Sequence, residues 1–194
     1  MKTIGLSGVS NWDMEAFFQS INAIDKVSPG LLHINQETFA IDKKADFVEM
    51  VVLTYDPNKI STQEILNIHF ATFIPTINAF NEDCFFPRCR CIITYDDAED
   101  KFELDKFLLR IEEKYKETNE TTHIRTLPSQ VLKNNFKPLT AVESNLYAKD
   151  KENAYVKSRI DPKLEKIKNL FPQFYREVPA LNQDGTLKVE EPNT

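Results

Sequence analysis

The chain has 194 residues, enough for one domain with a sizeable core, and 41% of them are hydrophobic. Its formal net charge of −6, with both signs interspersed, argues against a nucleic-acid partner, and no apolar run approaches the roughly 20 residues that span a bilayer. Three cysteines, an odd number for such a domain, point to free thiols in a reducing, cytoplasmic compartment, and no charged start followed by an apolar run suggests secretion.

Thr3 to Leu6 reads as a short buried strand that runs into the polar turn Ser7-Gly8-Val9-Ser10. A helix is predicted next, because Met14, Phe17, Phe18, Ile21 and Ile24 recur at helical spacing. Ser10 or Asn11 can cap it, since a short side-chain oxygen accepts from a free amide of the first turn. Val27 to Lys44 holds Pro29-Gly30 and no clear period, so it is expected to be a loop or a short irregular strand. Ala45 to Tyr55 is the strongest strand. Phe47, Val51, Leu53 and Tyr55 alternate with Val48, Met50 and Val52, so both faces are apolar and the strand is expected at the centre of a sheet.

Ser61-Thr62-Gln63-Glu64 is a capping box that opens a helix carrying Ile65, Ile68, His69, Thr72 and Phe73 on one side. Ile74 to Arg88 is a predicted loop, Cys89 to Tyr95 a strand, and Ala98 to Lys116 a long helix with Leu104, Phe107, Leu108, Ile111 and Tyr115 inward. His123 to Leu127 is a last short strand. Beyond Pro128 the sequence predicts mostly loop, a helix between Pro162 and Phe171, and a polar, frayed end. Helices alternating with strands, joined by connections too long for hairpins, give an α/β (α+β) two-layer sandwich with a central mixed sheet. Residues 1–157 are taken as the main domain and 158–194 as a C-terminal extension.

Glu49 sits in the middle of the central strand, on the face of Phe47, Val51 and Leu53. A bare carboxylate there is costly, so it is a strand end pointing at solvent, a satisfied acid bonded to a neighbouring loop, or a general acid whose pKa is raised by apolar surroundings. The three cysteines lie close together as Cys84, Cys89 and Cys91. A zinc site wants four ligands, and His33, His69 and His123 are scattered, so no metal is expected. Small buried thiols around a strand are the plainer reading.

Two stretches carry a resemblance. Ser10-Asn11-Trp12-Asp13-Met14-Glu15-Ala16-Phe17-Phe18 resembles the active-site entry of peptide methionine sulfoxide reductase A, a Gly-Cys-Phe-Trp pattern with a following Glu and Phe. Trp12, Glu15 and Phe18 fit it. Glu49, six residues before Tyr55-Asp56-Pro57, followed by Ile60-Ser61, matches a second family stretch. The resemblance spans Thr3 to Tyr155 and implies the family fold. It also implies a reaction in which a cysteine thiolate attacks a sulfoxide sulfur while a glutamic acid and two tyrosines protonate the oxygen. Thioredoxin or another thiol then regenerates the enzyme, and no bound cofactor is involved.

The chain departs from that pattern where the chemistry is most demanding. The nucleophile position is Ser10, and a serine oxygen has no counterpart to the sulfenic acid that a thiolate forms. The adjacent aromatic becomes Asn11, one tyrosine falls on Phe39 and the other on Cys89, and the family aspartate falls on Asp83 or, with one residue of slippage, Cys84. No cysteine follows Cys91 to act as a resolving thiol. Three readings follow. The chain binds a methionine or methionine-sulfoxide side chain through Trp12, Asn11, Phe39, Asp83 and Glu49 without reducing it. Alternatively, it reduces the sulfoxide with a relocated thiol, Cys84 or Cys89. Or it is an interaction subunit whose pocket is packed shut. The expected partner is a methionine-sulfoxide-containing peptide or protein, with no nucleic acid and no membrane.

Overall fold

The computed structural model describes residues 1–34, 47–76, 91–182 and 187–188. In chain order its elements are β1 (Lys2–Leu6), α1 (Asn11–Gln19), β2 (Ile24–His33), β3 (Phe47–Tyr55), α2 (Thr62–Thr72), β4 (Cys91–Tyr95), α3 (Ala98–Lys116), β5 (Ile124–Pro128), α4 (Gln130–Asn135), β6 (Phe136–Pro138), α5 (Leu146–Lys149), a π-helical turn (Val156–Ile160) and α6 (Asp161–Leu170). The strands form one six-stranded sheet in the order β5-β4-β1-β3-β2-β6. Only β4 and β5 run parallel; the other pairs are antiparallel.

The fold is the expected mixed α/β sandwich, with β3 inside the sheet between β1 and β2. The two faces of β3 separate as its alternation requires. Val51, Leu53 and Tyr55 join the main core under α1, α2, α3 and α6, while Val48 and Met50 join a smaller cluster with Leu32 and Ile92 on the other face. Val131, Leu132 and Phe136 pack against that second cluster. Ser61 caps α2 through the complete reciprocal box with Glu64, and α3 begins and ends where its periodicity places it.

Three stretches differ from expectation. Val27 to Lys44, expected as a loop or a short irregular strand, opens instead inside a ten-residue strand: Ile24–His33 is laddered to β3 along its length, and residues 35–44 lie outside the described residues. Pro29 is tolerated because its carbonyl accepts from Leu139 N, on the side away from β3. A strand residue's N–H and C=O point to the same neighbour, so the β3 ladder asks no donor of Pro29. The first helix stops at Gln19 instead of reaching Ile24, because the carbonyls at its end are taken from elsewhere. Arg176 donates through Nε to Gln19 O at 3.0 Å and through its amide to Ser20 O at 2.8 Å. The segment after Pro128 also forms α4, β6 and α5 where loop was expected, and Val156, Ile160, Leu164, Ile167 and Val178 belong to the main core.

Candidate active site

The site is assembled at the point where β1 turns into α1. Ser7 ties the turn to β4: its amide donates to Ile92 O at 3.0 Å and its hydroxyl accepts from Ile92 N at 2.8 Å. From below, the His69 ring meets Ser7 O through Nε2 at 3.2 Å. His69 lies among Phe18, Phe70 and Phe73, and burial pushes its pKa down to about 4, so the neutral ring donates to this carbonyl. Gly8 has φ +155°, and a Cβ there would sit 2.5 Å from Cζ of Phe73. Only glycine brings the turn so close to that ring.

Ser10 is the N-cap of α1, and its Oγ accepts from Trp12 N at 3.4 Å. The next amide, Asn11 N, donates to Glu49 Oε2 at 2.8 Å. The Glu49 carboxylate therefore lies on the peptide that joins Ser10 to Asn11, at the positive end of the helix. Glu49 is half-buried and anchored to this amide, with Leu31 of β2 as its neighbour in the ladder. Asn11 turns inward, 4% exposed, and donates through Nδ2 to Gly30 O at 2.8 Å, while its Oδ1 has no partner. Gly30 has no room for a side chain, since a Cβ would fall 2.4 Å from Phe136 Cζ.

Trp12 is 42% exposed yet fixed at two points. Its Nε1 donates to Glu143 O at 3.2 Å, and the Tyr155 ring stands edge-on with centroids 5.8 Å apart. Tyr155 donates its hydroxyl to Asp13 Oδ1 at 2.8 Å. Burial, reinforced by the Asp13 charge, holds the phenol above its ordinary pKa, so it stays protonated. Asp13 is buried and takes a second partner, Lys163 Nζ, at 3.3 Å.

A second buried acid lies two residues further along α1. Glu15 is 2% exposed, and burial raises its pKa to about 7 against the lowering effect of hydrogen bonds and of Lys149. Its Oε2 accepts from Asn145 N at 2.6 Å. Gln19 Nε2 reaches Glu15 Oε1 at 3.4 Å and Asn145 Oδ1 at 2.8 Å.

The structure thus brings Ser10, Asn11, Trp12 and Glu49 together. Phe39, Asp83, Cys84 and Cys89 lie outside the described residues. Cys91 is buried in β4, and burial pushes its thiol pKa up, which disfavours the thiolate. Among the described residues no three His, Cys, Asp or Glu side chains are placed to hold a metal ion, and no helix is long and apolar enough to cross a membrane. Sequence reading missed Tyr155, Asp13, Glu143 and Asn145. One signal was present: Asn, Asp, Glu and Gln all lie between the apolar positions of α1, and a helix so rich in phenylalanine buries them too.

A family model described as peptide methionine sulfoxide reductase matches residues 2–174. The chain belongs to the peptide methionine sulfoxide reductase family. It is 28% identical to peptide methionine sulfoxide reductase MsrA of Picrophilus torridus over 176 residues, 88% of this chain and 94% of that protein. With the MsrA of Saccharolobus solfataricus the identity is 26%, covering 89% and 96%. Among solved structures, methionine sulfoxide reductase A of Corynebacterium diphtheriae aligns with a TM-score of 0.57 at 12% identity, covering 81% of this chain and 74% of that one. Mxr1 of Saccharomyces cerevisiae in reduced form gives 0.55 at 17%, covering 78% and 87%. These two confirm the reductase fold, which is the α/β sandwich already described.

Proposed function

We propose that this member of the reductase family binds a methionine or methionine-sulfoxide side chain without reducing it at the helix entrance. Trp12 supports the binding half of this reading. An indole that is 42% exposed yet pinned by Glu143 O and Tyr155 is a ready-made apolar platform, because its surface is already ordered before a ligand arrives. Glu49, bonded to the neighbouring Asn11 amide, supplies the acidic group, and on this reading Phe39 and Asp83, which the resemblance adds, contribute to binding. Ser10 supports the non-catalytic half. The helix N-terminus would lower the pKa of a thiol at this position, but an oxygen there forms no sulfenic acid. On this reading a thiol reductant, thioredoxin included, becomes a partner only once sulfur is restored.

Trp12 is the single tryptophan of the chain, so its fluorescence reports on the site directly. Titration with an N-acetylated, amidated methionine-sulfoxide peptide is expected to change that emission saturably, with no turnover under dithiothreitol. An unchanged emission would remove the binding claim. Turnover by the parent would remove the non-catalytic claim, and its loss in Cys84→Ser or Cys89→Ser would assign the reaction to a relocated thiol.

A further inference from the structure

Residues 140–149 form a wall against the helix entrance, and their conformation is fixed by an unusual set of contacts. The Lys149 ammonium donates to the carbonyls of Ala141, Val142 and Ser144 at 2.6, 2.9 and 2.5 Å. Glu143 binds back to the amide and hydroxyl of Thr140 at 2.9 and 2.8 Å. Three carbonyls thus converge on Lys149, and Glu143 O is the one that turns to the Trp12 indole. The wall pivots at Asn145, which holds φ 59° and ψ 35°. That left-handed conformation costs an ordinary side chain about 1 kcal/mol or more, and asparagine tolerates it best after glycine.

What holds Asn145 comes from α1. Glu15 accepts its backbone N–H at 2.6 Å, and Gln19 donates to its side-chain oxygen at 2.8 Å. Burying a carboxylate this deeply is costly, so the fold meets a penalty to keep it here. A neutral residue could fill the same volume in a helix that only needed packing. Glu15 lies three positions after Trp12 on the same helix, so it grips one end of a loop whose other end grips the indole.

We propose that Glu15 is the positioning residue of this site: through Asn145 it sets the 140–149 wall, and through the Glu143 carbonyl it fixes the plane of the Trp12 indole on which the ligand lies. The proposal rests on Trp12 being the platform, but its test needs no ligand. Acrylamide quenching of the single tryptophan is measured in the ligand-free chain. Glu15→Ala is expected to raise the quenching constant roughly twofold, because a loosened wall populates open states. Glu15→Gln retains an oxygen that can accept from Asn145 N and is expected to stay near the parent. Ile68→Val in α2 loosens the core elsewhere and should leave quenching unchanged. Where Glu15→Ala fails to fold by circular dichroism, Glu15→Met decides: it keeps most of the volume at this position but offers Asn145 N no oxygen, and a rise in quenching supports the proposal. Unchanged quenching in Glu15→Ala, or in Glu15→Met when that variant decides, overturns it. So does an equal rise in Ile68→Val. Failure of the sulfoxide peptide to bind the parent would leave these outcomes intact and count against the platform alone.

Discussion

The helix entrance has two walls of opposite construction. One is built from β1, β2, β3, β4 and α2, and its side chains reach largely for backbone: Glu49 for Asn11 N, Asn11 for Gly30 O, His69 for Ser7 O, Ser7 for Ile92. The other is built from residues 140–163, and much of it is held by buried charge: Asp13 by Tyr155 and Lys163, and Asn145 by Glu15. The first wall is part of the sheet and moves only if the sheet does. The second is attached by a few polar contacts and can be loosened one contact at a time. A site built this way keeps its floor rigid and places adjustability in one side.

The largest effect tests whether the entrance still suits sulfur chemistry. Ser10→Cys is expected to raise dithiothreitol-driven reduction of a methionine-sulfoxide peptide by about a hundredfold or more over the parent, since a thiolate at a helix N-terminus is both ionised and redox-competent. Turnover numbers for the two proteins check this, and equal rates would mean that the pocket has been lost as well as the sulfur.

Next come the buried titrating groups, one for each wall, which act with opposite sign. Burial raises the folded pKa of Glu15 to about 7 from its ordinary 4.5. The folded state therefore binds its proton more tightly, and the stability this contributes is present at acid pH and lost as pH rises through 7. By linkage that is about 3 kcal/mol. His69 has its folded pKa lowered to about 4 from 6.5, so its contribution is present above 6.5 and lost as pH falls toward 4, again about 3 kcal/mol. The two slopes oppose each other between 4.5 and 6.5. Urea unfolding across that range should show Glu15→Gln losing stability more steeply than the parent on acidification. His69→Gln should lose it less steeply. Parallel profiles would mean that neither group titrates as its burial requires.

Two smaller substitutions sharpen the contrast. Gly30→Ala strikes the rigid wall, because the new methyl meets Phe136 and Lys137 O at 2.4 and 2.5 Å; a loss of about 2 kcal/mol is expected in thermal or urea unfolding. Tyr155→Phe strikes the adjustable wall by removing one bond to Asp13, and about 1 kcal/mol should be lost while Lys163 still neutralises the acid. A larger cost for Tyr155→Phe than for Gly30→Ala would reverse the assignment of the two walls.

The same division explains what could be read from residue order. The strand Phe47–Tyr55, the capping box at Ser61 and the helix Ala98–Lys116 follow from local periodicity and caps, and each appears where that signal lies. Ser10, Trp12 and Glu49 were legible because short patterns mark them. The second wall was not legible, because its contacts join residues far apart in sequence. Trp12 meets Glu143 131 positions away, and Asp13 meets Tyr155 142 positions away. Glu49 is half-buried and bonded to the Asn11 amide, while Asp13 and Glu15, both on α1, are the deeply buried acids. Pro29 misled because its effect on a strand depends on which side needs a donor.

The sheet's two borders have a consequence for how this molecule tolerates crowding. β5 and β6 are short outer strands, and each ends in a proline, Pro128 and Pro138. Proline offers no amide to an incoming chain, and a three-residue border such as β6 gives little template for one. Among the described residues, both margins of the sheet therefore end where an incoming extended segment finds no amide donor.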